Sequence, residues 1–205
     1  MRPAAAGAVL GLALAIGAPT AWSLTRPSAS AGAPVTTVLQ TPTSSPMTSA
    51  PTTPLPEAPA PVRLVIPALG VDSAVDPVGV APDGQMAIPD DVDRVGWYQF
   101  GPAPGGAGSA VIAGHVDDRE QGLGALAPLR ETAVGTEVLV TGADGTTARW
   151  RVVSRELITK QVLPLERLFT RTGPPRLTLI TCGGPFLPEY RSYRDNVVVV
   201  AEQVR

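Results

Sequence analysis

The sequence contains few of the side chains that most often carry protein chemistry. Its 205 residues include one cysteine, Cys182, and one histidine, His115, and only 4% of the residues are aromatic. A single cysteine cannot form an internal disulfide, and this supply of cysteine and histidine excludes a Cys/His metal cluster. The formal net charge is −2, which gives no support to nucleic acid binding through a strongly basic surface.

Two further classes of ligand site find no support in the sequence. No glycine-rich loop has the spacing of a phosphate-binding motif. Acidic side chains cluster at Asp90, Asp91 and Asp93, but three neighbouring carboxylates in a loop are usually just solvated. The sequence therefore predicts no metal and no cofactor.

Cys182 lies at the end of an apolar, β-rich segment, residues 176–182. Gly183, Gly184 and Pro185 follow it and are typical of a strand that ends in a loop. A lone cysteine is more often a small buried apolar residue than a nucleophile. Its place at a strand end favours the second interpretation.

A second apolar strand, residues 197–201, follows that loop. Two strands joined by a loop of this length normally form an antiparallel hairpin, which returns Arg191 or Arg194 towards Cys182. His115 directly follows another short apolar strand, residues 109–114. Three strand ends thus offer a thiol, an imidazole and a guanidinium, which suit acyl transfer because they supply a nucleophile, a proton carrier and a permanent positive charge.

Three motifs taken together resemble the sortases, the cysteine transpeptidases of the Gram-positive cell surface. Leu-Ile-Thr-Cys ending at Cys182 is similar to the family's Thr-Leu-x-Thr-Cys motif, and Ala-Gly-His ending at His115 is similar to its histidine segment. Tyr-Arg-Asp-Asn at 193–196, followed by valines, is similar to its arginine segment. The resemblance covers about residues 62 to 205 and is strongest to the class F sortases of actinobacteria, with class E as the neighbouring option.

The resemblance implies a role for each residue. Cys182 is expected to be the nucleophile, His115 the general acid or base, and Arg194 the group that holds the oxyanion or positions the substrate. Arg191 is the rival for the last role, but Arg194 stands at the start of the valine strand, where the family has its arginine. Substrate contacts are expected at Thr181, directly before the cysteine. They are also expected in the segment that precedes the cysteine strand, where core packing is the alternative: Val162, Leu163, Leu165 and Leu168.

Two features of the chemistry stay open. Asp117 and Asp118 invite a catalytic triad, but the sortase pattern does not require one, so we interpret them as loop residues. Unperturbed thiol and imidazole groups titrate near ~8.5 and ~6.5. The site therefore either shifts both towards an ion pair or works through a minor thiolate–imidazolium fraction.

The resemblance also implies a reaction and its partners. A Leu-Pro-x-Thr-Gly-type sorting signal on a secreted protein would be cleaved between Thr and Gly through a thioacyl enzyme. The acyl group would pass to an amine of the cell envelope or a pilin, such as a peptidoglycan precursor or a pilin lysine. The enzyme needs no cofactor for this.

The chain divides into three parts. Residues 1–24 form an apolar N-terminal segment, either an uncleaved single-pass membrane anchor with the catalytic domain outside or a signal cleaved within residues 28–33. Residues 25–61 are rich in Pro, Thr, Ser and Ala and predict a disordered, extended linker. Residues 62–205 predict the catalytic domain. The sortase resemblance favours the anchor.

Short apolar segments separated by Pro, Gly and Asp predict an all-β fold for this domain. About eight strands are expected in a closed barrel of the sortase type, with short helices near residues 91–95, 123–129 and 164–169. The strands are expected at residues 63–66, 70–75, 86–88, 109–114, 137–140, 147–153, 176–182 and 197–201.

Two other functions compete with this one. An extracellular β-domain that only binds or adheres would have a buried, inert Cys182. An L,D-transpeptidase would have His-Gly directly before its cysteine and an arginine directly after it, whereas Thr181 and Gly183 stand at the neighbouring positions.

Overall fold

The computed structural model describes residues 29–40 and 58–204. These residues are mostly β-structure, as the sequence predicted. The strands in chain order are β1 (Ala31–Gly32), β2 (Pro61–Ile66), β3 (Val71–Val78), β4 (Val95–Tyr98), β5 (Ser109–Gly114), β6 (Asp117–Asp118), β7 (Gly122–Leu123), β8 (Glu137–Gly142), β9 (Thr147–Thr159), β10 (Arg176–Leu187) and β11 (Ser192–Gln203). Two short α-helices, α1 (Val35–Val38) and α2 (Leu165–Leu168), accompany them.

Eight of these strands close into a barrel. The sheet runs in the order β9, β11, β10, β5, β4, β3, β2 and β8, and a further pairing of β8 with β9 closes the ring. Closure leaves no unpaired sheet edge among the eight strands. The prediction of an eight-stranded barrel is confirmed.

The interior of the barrel is a single apolar core. Its large, fully buried members include Trp150, Leu64, Ile66, Ile112 and Leu177. In β3 and β8 buried residues alternate with more exposed ones. In β5, by contrast, all six residues are buried, as is typical of a strand that is covered on both faces.

The strand prediction was wrong at residues 86–88, and three strands are much longer than predicted. β9 extends to Thr159, β10 continues past Cys182 to Leu187, and β11 begins at Ser192. Residues 86–88 do not form a strand; Met86 makes only an isolated bridge with Val80. The missing barrel strand is β4, where a helix had been expected to end. Its Val-Gly-Trp-Tyr sequence is too short to show a periodicity, and it gains its structure from pairing with β3 and β5.

Of the three expected helices, one is confirmed, one is a 3-10 turn and one is absent. Helix α2 lies within the expected 164–169 segment, and a 3-10 turn at Ala127–Glu131 overlaps the second expected helix. Residues 91–94 form turns instead of a helix. The Asp91 side chain caps that turn by accepting a hydrogen bond from the Asp93 amide, which is the behaviour that makes aspartate favour turns.

Part of the expected linker packs on the barrel. β1 pairs with Ser154 and Arg155 of β9, and α1 follows it. Val35 is fully buried against Leu168 and Val198. The expectation of an extended tether over residues 25–61 is therefore corrected for residues 29–40, while residues 41–57 lie outside the described residues.

Hydrogen bonds fix this N-terminal segment in place. The Val35 amide donates to Glu156 Oε2 at 2.9 Å, and Ser154 Oγ donates to the Ala33 carbonyl at 2.5 Å. The Pro- and Thr-rich composition concealed the segment because its few apolar residues, Val35, Val38 and Leu39, are spaced for one helical face. The barrel supplies the surface that they need.

In the part of the chain that the structure describes, no helix is both long and apolar enough to cross a membrane. The expected N-terminal signal or anchor, residues 1–24, lies outside the described residues.

Candidate active site

The topology of the barrel brings His115 and Cys182 to the same end. β5 and β10 are parallel neighbours, and their register pairs Ala113 with Ile180. Two residues further along each strand come His115 and Cys182. Because parallel strands advance in step, both side chains emerge at one edge of the barrel.

A groove of about 540 Å³ opens at this edge, and both His115 and Cys182 line it. Most of its other lining is apolar, with Met86, Ile88 and Phe169 among the contributing residues. A mostly apolar cleft with a few convergent polar groups is the usual form of a ligand site.

The His115 ring is oriented by the backbone. Its Nε2 lies 3.1 Å from the Pro89 carbonyl oxygen, and since a carbonyl only accepts, Nε2 carries the proton. In the neutral ring Nδ1 then holds the free lone pair. His115 thus keeps one nitrogen available to take or return a proton.

Neither neighbouring aspartate completes a triad with this ring. Asp118 accepts hydrogen bonds from the amides of Glu120 and Gln121, and these bonds are the main reason that its pKa is lowered from the usual value. Asp117 accepts a hydrogen bond from the Tyr193 hydroxyl. Both carboxylates therefore make hydrogen bonds that hold the loop after β5.

Arg194 stands close to Cys182 in the hairpin but is held by a carboxylate. Cys182 pairs with Asn196 across β10 and β11, and Arg194 is two residues before Asn196. Its Nε and Nη2 donate to the two carboxylate oxygens of Asp195, each at 2.8 Å. Asp195 is 2% exposed, and the hydrogen bond from Arg194 is the main reason that its pKa is lowered.

With this ion pair formed, the Arg194 side chain lies outside the groove. The Arg194 side chain is 50% exposed and does not line the groove as described. Its Nη1 group takes no part in the pair with Asp195. The rival Arg191 is exposed at the turn before β11, in the left-handed conformation with φ 48°, and it does not line the groove either.

Thr181 connects the two catalytic strands. Its hydroxyl donates to the Gly114 carbonyl at 2.8 Å, and the residue is only 3% exposed. The hydrogen bond joins the residue before Cys182 to the residue before His115. The hydroxyl that had been expected at the substrate is therefore committed to the backbone.

The other expected groove residues divide into two groups. Leu163, Leu165 and Leu168 line the groove, although Leu168 is fully buried and also packs in the small cluster around Val35. Val162 is 70% exposed and lies outside the groove lining, so its expected place is corrected. The cause is the 3-10 turn Lys160–Val162, which turns its last residue outwards.

The sequence model of the sortase domain matches residues 64–204, which is more than half of the chain. The chain belongs to the sortase family. This match begins within β2 and covers the rest of the barrel, including all three motifs at Cys182, His115 and Arg194. No curated protein matches the chain.

Solved sortase structures share the fold. Sortase A from Corynebacterium diphtheriae aligns with a TM-score of 0.53 and 20% identity, over 73% of this chain and 62% of that one. Sortase C-1 from Actinomyces oris aligns with a TM-score of 0.53 and 20% identity, over 70% and 73%. The chain therefore spans less than two thirds of the length of the Corynebacterium protein, and at these identities the likeness concerns the fold alone.

A second cavity of this sortase was not predicted from the sequence. It measures about 330 Å³, and Thr181 and Cys182 line it as well as the groove. Its polar residues include Asp117, Arg130 and Arg155. The two cavities therefore meet at Cys182, which lines both.

A hydrogen bond across the second cavity ties the loop after His115 to the strand of Arg194. The Tyr193 hydroxyl donates to Asp117 Oδ2, and the Tyr193 ring packs edge-on against Phe186 with 5.3 Å between centroids. Asp117 and Tyr193 are 76 positions apart, so local pattern gives no sign of the contact. In the sequence, only the Tyr-Arg-Asp-Asn motif indicates that Tyr193 lies near the site.

This hydrogen bond predicts an alkaline titration. The hydrogen bond to the Asp117 carboxylate is the main cause that raises the pKa of Tyr193 from 10.0 to about 12. A raised pKa adds stability that is complete below about pH 10 and is lost as the pH rises towards about 12. The ultraviolet absorbance of phenolate should therefore show, as the difference between wild type and Tyr193→Phe, a midpoint near 12. A midpoint near 10 would show that the hydrogen bond is absent in solution.

Acidic clusters give no sign of a metal centre in residues 29–40 and 58–204. No group of three or more His, Cys, Asp or Glu side chains there has an arrangement that holds an ion. The carboxylate of Asp91 caps its own turn.

Proposed function

We propose that this sortase cleaves a Leu-Pro-x-Thr-Gly-type sorting signal between Thr and Gly and transfers the acyl part to an amine. The observation that supports this most is the shared groove of His115 and Cys182. Its apolar lining suits the Leu and Pro of such a signal, and the thiol at its end suits attack on the Thr carbonyl.

The first half of the reaction forms a thioester. The Cys182 thiol passes its proton to the free Nδ1 of His115, and the resulting thiolate attacks the Thr carbonyl carbon, so that a C–S bond forms while the carbonyl oxygen takes up negative charge. The imidazolium then gives the Nδ1 proton to the leaving Gly nitrogen, and the C–N bond breaks as the carbonyl re-forms. Nε2 keeps its proton on the Pro89 carbonyl throughout.

The second half reverses these steps with another amine. The acceptor nitrogen attacks the thioester carbonyl, its proton passes to His115, and the C–S bond breaks to restore the thiolate. Since forward and reverse transfer share one transition-state geometry, the acceptor amine takes the place that the Gly amine left. The second cavity, which meets the groove at Cys182, offers that place.

Arg194 is proposed to hold the oxyanion. Its pairing with Asp195 through Nε and Nη2 fixes the plane of the guanidinium and leaves Nη1 to donate to a developing charge. Preorganised donors of this kind are among the larger contributions to acyl-transfer catalysis. The substrate carbonyl at Cys182 is proposed to meet the Nη1 side of this fixed guanidinium.

The setting of the reaction is also proposed. Sorting-signal-bearing secreted proteins would be the donors, and a peptidoglycan precursor or a pilin lysine the acceptor. The apolar segment within residues 1–24 would anchor the enzyme in the cell membrane as a single pass, with the barrel outside. The motif wording places the enzyme nearest to class F, with class E as the neighbour.

Intact mass spectrometry tests this function. Wild-type protein mixed with a Leu-Pro-Ala-Thr-Gly peptide should gain the mass of the acyl fragment, and hydroxylamine should remove it, because hydroxylamine cleaves thioesters. Cys182→Ala should show neither the adduct nor transfer to an added amine, since no other thiol is present in the chain.

Alkylation separates the possible failures. If no adduct forms and folded Cys182 also resists iodoacetamide, the inert binding domain is favoured over the enzyme. If no adduct forms but Cys182 is readily alkylated, the thiol is accessible and the peptide sequence is the faulty part of the proposal.

A further inference from the structure

The groove contains one side chain whose charge the proposed reaction does not use. Among the described residues that line it, Lys160 is the one lysine or arginine, and no aspartate or glutamate lines it. Lys160 is also the only lysine of the chain, in which every other basic side chain apart from His115 is arginine. A half-buried ammonium in a mostly apolar groove is therefore an isolated feature that calls for a partner of opposite charge.

The charge of Lys160 is not neutralised within the described part of the chain. Its Nζ donates to Ser192 Oγ at 2.8 Å, and a hydroxyl fixes the position of the ammonium without cancelling its charge. The acidic residue nearest in the strand pairing is Asp195, opposite Thr159. That carboxylate is already engaged with both nitrogens of the Arg194 fork.

Strand register places Lys160 close to the thiol. Ile158 of β9 pairs with Asn196 of β11, and Asn196 pairs with Cys182 of β10. Lys160 follows the end of β9, two residues beyond Ile158, and begins the 3-10 turn Lys160–Val162. It lines the same groove as Cys182.

We propose that Lys160 selects an acidic residue at the x position of the sorting signal. This inference rests on the proposed function, because it assumes that the Thr carbonyl lies at Cys182. In a bound extended peptide x is adjacent to that Thr, about 3.3 Å further along, and its side chain enters the part of the groove that Lys160 lines. A carboxylate there gains an ion pair, and a lysine there meets like charge.

The expected preference is moderate. A partly exposed ion pair changes an equilibrium by about fivefold at low ionic strength. We therefore expect Leu-Pro-Glu-Thr-Gly to exceed Leu-Pro-Gln-Thr-Gly about fivefold in kcat/KM, and Leu-Pro-Lys-Thr-Gly to be poorer than both. The preference should decrease as salt is added, because salt screens exposed charges.

Variants of Lys160 provide the test. Lys160→Gln keeps a donor for Ser192 but removes the charge, so the Glu and Gln peptides should react equally well. Lys160→Glu should reverse the order and favour the Lys peptide. Arg171→Gln is the matched control, since it removes a positive charge from an exposed position outside the groove and should retain the wild-type preference.

The outcomes distinguish a failure of the proposed role of Lys160 from a failure of the proposed function. If all three peptides form the thioester with equal kcat/KM in the wild type, or if Lys160→Gln keeps the wild-type order, the role of Lys160 is wrong while the transpeptidase stands. If none of the three reacts with the folded wild type, the proposed sorting signal fails, and the role of Lys160 fails with it.

Discussion

Replacing His115 with alanine is expected to slow thioester formation from a Leu-Pro-Ala-Thr-Gly peptide by about 1,000-fold, the usual contribution of a positioned acid or base. The physical reason is the leaving group, since an amine departs only if its nitrogen is protonated as the C–N bond breaks. The rate of appearance of the acyl adduct on Cys182, followed by mass spectrometry, measures the effect. The fold should persist, because the ring's hydrogen bond is a single contact to the Pro89 carbonyl.

A change of leaving group shows whether the loss belongs to proton transfer. A substrate with a thioester in place of the Thr–Gly amide releases a thiolate, which needs no proton. His115→Ala should therefore recover much of its rate with the thioester, whereas Cys182→Ala should recover none. Equal losses on both substrates would indicate that His115 only shapes the groove.

Asp118→Asn is the matched control for the same loop. Its carboxylate accepts two backbone hydrogen bonds and makes no hydrogen bond to the His115 ring. Its activity should remain near that of the wild type. A large loss in Asp118→Asn would imply that loop geometry, not the imidazole, limits the reaction.

The sequence predicted the site better than it predicted the strands. His115 directly follows β5, as predicted from its apolar strand and its glycine. The predicted strand end at Cys182 is wrong, because β10 continues to Leu187 and the glycines after Cys182 mark an irregularity in the strand pairing instead of its end. The common edge of His115 and Cys182 depends on the parallel pairing of β10 with β5, which no local pattern reveals. Only the resemblance to the sortases placed them together in advance.

The features that were missed depend on contacts between distant segments. Strand β4 is four residues long and is defined by its two neighbours. The Tyr193–Asp117 hydrogen bond spans 76 positions. The α1 segment reads as part of a linker by composition, and its burial depends on an apolar patch that β9 and β11 present only once the barrel has closed.

The position of Arg194 also could be predicted only in part from the sequence. The motif predicted a guanidinium near the thiol, and the hairpin register places it two residues from Asn196, which is opposite Cys182. The motif did not reveal that the next residue, Asp195, takes both nitrogens of the fork. Adjacent residues on a strand point to opposite faces, so a strand pattern does not predict that these two neighbours form an ion pair.

Gly184 follows Cys182 in β10, and its replacement should be among the most damaging changes in the hairpin. Gly184 has φ 73°, and a Cβ there would lie 2.1 Å from Asp195 Oδ2. Gly184→Ala is expected to lower the free energy of unfolding by about 3 kcal/mol, combining the cost of a left-handed alanine with that of an overpacked contact. Urea unfolding of the purified variant measures the loss as a shift in midpoint.

Gly145→Ala separates the two causes. Gly145 has a similar φ of 81°, but no atom lies within 4 Å of the added Cβ. This variant should lose only about 1 kcal/mol, the backbone part of the cost. Equal losses in the two variants would show that Asp195 moves aside without cost and that its contact with Gly184 does not matter.

Gly184→Ala should also reduce catalysis, for a reason that Gly145→Ala does not share. The added methyl group displaces the carboxylate that holds Arg194 through Nε and Nη2, so the guanidinium loses its fixed plane. Thioester formation should therefore decrease in Gly184→Ala under conditions where both variants are fully folded. If the rate stays at the wild-type value, the Arg194–Asp195 pair is a structural contact, and the oxyanion must be held by another group.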